Sequence, residues 1–89
     1  MTNNKRVKRH IKELHILLIY INGWEEDDGD HPGRKIFKSW KTFPHDVLQQ
    51  LEANNYIHQH QGTHFLSLTK KGKRAAKKLN RRYMQPMIE

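Results

Sequence analysis

Eighty-nine residues with no cysteine, seventeen Lys and Arg against nine Asp and Glu, and a formal net charge of +8 describe one small basic domain. They exclude disulfides, thiolate metal sites and thiol catalysis, and at this length they leave room for one modest core. The longest apolar run, Ile16 to Ile21, is far short of the ~20 residues that span a bilayer; no cleavable leader is visible, and a cytoplasmic protein that avoids membranes is expected.

Residues 1–4 are expected to fray. From about Lys5 to Gly23, the residues Val7, Ile11, Leu14, Leu18 and Ile21 lie on one helical stripe, with Lys8, Arg9, Lys12 and Glu13 on the other side, which predicts a first helix. Its second half, His15 to Ile21, is apolar nearly all round and needs cover on two sides, from its own domain or from a partner chain. Gly23 suits a stop. Residues 24–33 hold five acids, two glycines and one proline without periodicity, the marks of an exposed acidic loop. From Arg34 to Thr42, Ile36, Phe37 and Trp40 fit one and a half helical turns, a short helix. Phe43, Val47, Leu48 and Leu51 then recur at helical spacing after Pro44, which suits a first turn, and this helix ends near Asn54-Asn55.

Residues 56–68 read as a β-hairpin: two runs with aromatic and β-branched alternation flank Gln61-Gly62-Thr63, whose glycine permits a tight turn. Thr69 caps a final helix over 70–84, its hydroxyl placed to accept from the free N–H groups of the first turn. Gly72, Ala75, Ala76, Leu79 and Tyr83 make the apolar side of that helix, and Lys70, Lys71, Lys73, Arg74, Lys77, Lys78, Arg81 and Arg82 the other. Pro86 ends it. The expected architecture is α+β: helix, acidic loop, short helix, helix, two-stranded hairpin and C-terminal helix, in a single domain over residues 1–89.

The placement of charge is more informative than its sum. All seventeen basic residues fall in three blocks, Lys5 to Lys12, Arg34 to Lys41 and Lys70 to Arg82, and five of the nine acids sit between Glu25 and Asp30. Clustered basic charge fits a polyanion, nucleic acid above all and an anionic membrane surface second, although it also serves solubility. On the last helix, like charges three and four apart repel by a few tenths of a kcal/mol per pair, a cost that a neutralising partner would relieve.

His58, His60 and His64 could come together on the hairpin to hold Zn²⁺, since positions two apart on a strand share a face. With seven histidines scattered along the chain, solvated residues account for them more simply, and no metal or cofactor is expected. The acidic run lacks calcium-loop spacing: counting from Asp28, the twelfth position is Ser39. Nothing resembling a phosphate-binding glycine loop, an activated nucleophile or an isolated carboxylate pair is present, so an enzyme is not expected.

Leu48-Gln49-Gln50-Leu51-Glu52-Ala53-Asn54-Asn55-Tyr56-Ile57 and Leu68-Thr69-Lys70-Lys71-Gly72-Lys73-Arg74-Ala75 resemble the "LxxLExxGYI" and "LTxxGxxxA" phrases that flank the wing in winged helix-turn-helix domains of bacterial transcription regulators. The stretch from Trp24 to Ile57 is also similar to a small uncharacterised bacterial family with a "WKxFDxxVLxxLxxxGYI" pattern. The first resemblance implies a winged-helix-like fold in which 43–54 is the recognition helix and 56–68 the wing. Outward on that helix would stand Thr42, His45, Asp46, Gln49 and Ala53, with Gln50 at the margin, and glutamine amides can read adenine edges. Neither the helix nor the wing tip carries the Arg or Lys usual in such regulators.

Together these readings lead to nucleic-acid binding, to duplex DNA first and mainly by phosphate contacts, in a small transcriptional regulator. The candidate contact residues are Lys38, Lys41, His45, Gln49, Gln50, His60, His64, Lys70, Lys71, Arg74, Lys77 and Arg81. The alternative is a protein-interaction or dimerisation module without direct nucleic-acid binding. Homodimerisation is open under either.

Overall fold

The computed structural model describes residues 4–84, arranged as α1 (Asn4–Ile21), β1 (Trp24–Asp27), β2 (Lys35–Trp40), α2 (His45–Ala53), β3 (Ile57–Gln59), β4 (Phe65–Leu68) and α3 (Lys70–Met84). The four strands form one antiparallel sheet in the order β1-β2-β4-β3. Register divides its faces: Phe37 pairs with Leu68, Ser39 with Leu66 and Ile57 with Leu68, all turned toward the helices. Trp40 opposite Phe65 and Lys38 opposite Ser67 point the other way. The core lies between the sheet and the helices and joins Ile16, Leu17 and Ile19 of α1, Leu48 and Leu51 of α2 and Ala76 and Leu79 of α3 to the inward strand residues.

The α+β class and the run of helix, hairpin and helix from residue 45 onward are as expected, consistent with a small winged-helix-like domain. Three local expectations are corrected. Arg34 to Thr42 is not a short helix, because Phe37 and Ser39 are buried while Trp40 faces out, the alternation of a strand rather than the stripe of a helix. Residues 24–33 are not wholly a loop: Trp24 to Asp27 pair with β2, Asp27 opposite Lys35 and Glu26 opposite Ile36, with Asp27 to Lys35 and Glu26 to Lys38 ion pairs of 2.7 and 2.9 Å offsetting the poor strand propensity of acids. Pro44 stands at the N-cap of α2, one place before its first turn.

A further correction, of packing, concerns α1. Its core side is Ile16, Leu17 and Ile19, while the stripe of Val7, Ile11, Leu14, Leu18 and Ile21 is turned to solvent, each of the five 41% to 51% exposed. A helix apolar on two sides can bury either, and here the domain covers only one. At its end Gly23 has a packing role: a β-carbon there would strike the Phe37 ring and, at 2.5 Å, the Lys38 carbonyl, so only glycine lets α1 turn this close over β2. Asn4 begins α1; fraying of residues 1–3 and the stop at Pro86 lie outside the described residues.

Leu51, fully buried at the centre of the cluster, tests this core. Leu51→Ala is expected to lower the unfolding free energy by ~2 to 5 kcal/mol, a large part of the ~5 to 15 kcal/mol usual for a domain. Chemical denaturation would measure it, and a loss under ~1 kcal/mol would be inconsistent with the site being packed on all sides.

Candidate nucleic-acid interface

The basic residues of α1 and α3 are brought together by a junction built around Tyr56. Helix α2 ends with Asn55 in the left-handed region at φ 65°, Asn55 N–H bonding Glu52 O at 3.0 Å and Tyr56 N–H bonding Leu51 O at 2.9 Å, the paired closure of a Schellman turn. After the hairpin the chain returns to the same point. Thr69 N–H donates to Tyr56 O at 3.1 Å, and the Thr69 hydroxyl accepts from Gly72 N–H at 3.0 Å, the cap expected of it, while donating to Asn55 O at 2.6 Å. Gly72 is buried with the Tyr56 carbonyl against the place a β-carbon would take.

This brings Lys71 beside the end of α2, where its ammonium donates to Asn54 O at 2.9 Å and lies 4.6 Å from the centre of the Tyr56 ring. Helix α1 passes alongside, and Lys8, Arg9 and Lys12 line the far wall of a groove of about 700 Å³ whose near wall is Lys71, Tyr56 and Asn54. Glu13 is the single acid on its lining. The first turn of α3 has no acidic residue, so a helix dipole and several lysines act in the same direction, favouring an anion.

Beyond the groove, α3 continues as a charged face. Lys70, Arg74, Lys77, Lys78, Arg81 and Arg82 are exposed, and among the described residues no carboxylate lies within ion-pair distance of them. Lys73 differs, half-buried and 3.4 Å from Glu25 of β1.

The candidate residues of the sequence therefore separate into groups. Lys70, Lys71, Arg74, Lys77 and Arg81 share α3 with the groove. His45, Gln49 and Gln50 stand exposed on α2. Lys38 and Lys41 belong to the opposite, sheet side and are engaged internally: Lys38 pairs with Glu26 and sits 4.9 Å over the Phe65 ring, and Lys41 donates to His60 O at 2.8 Å, tying the hairpin tip. His64 is exposed at that tip, its carbonyl accepting from Lys41 N–H. The open face of the sheet also carries a row of rings, Trp24 to Trp40 at 5.4 Å and Trp40 stacked on Phe65 at 4.8 Å. Lys8, Arg9 and Lys12 were visible in the sequence as a basic block, but only the packing of α1 on α3 turns them into a wall.

The histidines of the hairpin do not converge on a metal geometry among the described residues. His58 and His60 meet edge to face at 4.8 Å, and His60 Nε2 lies 3.1 Å from Ser67 Oγ. On the neighbouring helix, the Glu52 carboxylate is held below the usual carboxylate range by the Gln59 N–H that it accepts at 3.0 Å.

The family model described as Domain of unknown function (DUF6429) matches residues 7–86. The chain belongs to this family. The family's description assigns no activity, and its span takes in the groove, the sheet and all of the described part of α3. No curated protein and no solved structure matches the chain.

Burial, and then the nearby His58, Lys38 and Lys41, push the His60 imidazole below its ordinary value, which favours its neutral form and makes it a poor cation for an anion. Because folding lowers its affinity for a proton, His60 contributes stability that is complete above ~6.5 and is lost as pH falls through the folded value. An NMR titration should place its midpoint below that of a free histidine, and His60→Asn should flatten the acid limb of the stability curve. A midpoint at or above the free value would contradict this placement.

Proposed function

We propose that the protein binds nucleic acid, duplex DNA first, chiefly through its phosphates, and acts as a small cytoplasmic regulator rather than as an enzyme. The observation that carries this reading is the meeting of Lys8, Arg9 and Lys12 with Lys71 around one groove that opens onto the row of exposed cations along α3. A helix of 15 residues extends about 22 Å, and charge spread over such a length suits a polyanion better than a single small anion. Phosphate contact rather than base reading is favoured because α2 has no cation and the hairpin tip, Gln61 to His64, has none either. The winged-helix resemblance supports the same class of partner, with the contact moved from the recognition helix to α1 and α3.

Phosphate binding has a distinctive salt signature. Log affinity for random duplex DNA should fall linearly with log salt at about −0.9 per phosphate neutralised. Replacing Lys8, Arg9 and Lys12 together by Gln should reduce the slope by roughly 2 to 3, and replacing Lys70, Arg74, Lys77 and Arg81 by roughly 2 to 4, with Gln49→Ala leaving it nearly unchanged. Fluorescence anisotropy across a salt series measures all four proteins. Slopes indifferent to both basic sets, or no salt-dependent binding by the parent, would defeat the proposal.

A further inference from the structure

The stripe of α1 that faces solvent has a spacing of its own. Val7, Ile11, Leu14, Leu18 and Ile21 follow one another at intervals of four, three, four and three residues, the heptad pattern by which one helix packs along another. All five are 41% to 51% exposed, while Ile16 and Ile19, on the other side of the same helix, are in the core. The patch amounts to roughly 400 Å² of aliphatic surface, the size of the largest patch on a typical monomer, which often marks an interaction site.

We propose that α1 pairs antiparallel with α1 of a second copy of this chain. A homotypic partner supplies a seam of the same spacing by identity. The residues bordering the stripe are Lys8, His10, His15, Leu17 and Asn22, and only Lys8, at its N-terminal end, has a fixed charge, so like charges are kept apart when the two N-terminal ends are not side by side. Direction follows from where charge lies along the helix. Arg6, Lys8, Arg9 and Lys12 crowd its first half, and its last turn has no basic residue. Parallel pairing would put two basic halves and two like dipole ends side by side. Antiparallel pairing sets the basic half of one copy against the C-terminal carbonyls of the other, where cations are favoured. The heptad phase then sets Ile11 against the partner's Ile21, and Leu14 against the partner's Leu18. Two seams of this size come to ~800 Å² before the flanking side-chain stems are added, below the ~1,200 Å² of standard interfaces and in the range of weak, transient ones, so a concentration-dependent dimer is expected. The pairing stands independently of the nucleic-acid reading.

Sedimentation equilibrium from about 1 to 500 μM tests it. The parent is expected to shift from one chain toward two across that range, and Leu14→Glu with Leu18→Glu to remain one chain with an unchanged circular dichroism spectrum, since both positions are outside the core. A parent that stays monomeric at every concentration would overturn the proposal, as would a double variant that is folded and still dimerises. Because the chain has no cysteine, direction can be read directly. An equimolar mixture of Ile11→Cys and Ile21→Cys proteins should form the mixed disulfide dimer on mild oxidation, in preference to either self-pair; dominance of the self-pairs would refute the antiparallel arrangement.

Discussion

The carbonyl of Tyr56 is the point on which the arrangement of the domain turns. It follows directly from the close of α2, and it receives the backbone N–H of Thr69 at the start of α3, whose hydroxyl donates to the neighbouring Asn55 carbonyl. Two helices separated in sequence by a hairpin are thereby held at one place, and the missing side chain of Gly72 is what lets them come so close. Were that junction to open, Lys71 would leave Asn54 and the Tyr56 ring, and the wall it makes opposite α1 would be lost. The groove thus depends on a backbone contact more than on any of the charges that line it.

Charge in this chain is sorted by the sheet. The acids of β1 sit against lysines of neighbouring elements, Asp27 with Lys35, Glu26 with Lys38 and Glu25 with Lys73, so much of the negative charge is matched within the domain. Such exposed pairs add little stability singly. Their larger effect is on the distribution of what is left. Positive charge remains unmatched along α3 and on the first half of α1, on the helical side, while the sheet side presents Trp24, Trp40 and Phe65 with Lys38 and Lys41 already engaged. The net charge of +8 is therefore concentrated on part of the surface.

Where structure follows from residues close in sequence, it could be read without coordinates. Asn54-Asn55 closing a helix, Gly62 at a turn with φ 74° and Thr69 at a cap are local chemistry, and α2, the β3–β4 hairpin and α3 stand where those signals put them. The β1–β2 hairpin could not be read in the same way. Glu25, Glu26 and Asp27 are poor strand residues, and what makes them a strand is pairing with Lys35 and Lys38 across a turn in which Asp28 accepts from Asp30 N–H and Gly33 takes a positive φ. Ile36, Phe37 and Trp40 satisfy helical spacing as well as they satisfy strand alternation, and only the neighbouring strands decide between them. The groove was half legible for a similar reason: Lys71 and Lys12 each belong to an evident basic block, but that they line the same groove is a fact of tertiary packing. In α1, periodicity identified an apolar stripe without saying whether the domain would cover it.

The two outer strands of the sheet are short, β3 with three residues and β1 with four. An unpaired strand edge invites another chain to extend the sheet, and brevity and charge are the usual protections against this. Every residue of β1 after Trp24 is an acid, so a second molecule approaching along that edge would bring its own carboxylates against these. The segment that as sequence resembled a solvated loop is in the fold a guarded border, at which strand addition by a second molecule is disfavoured.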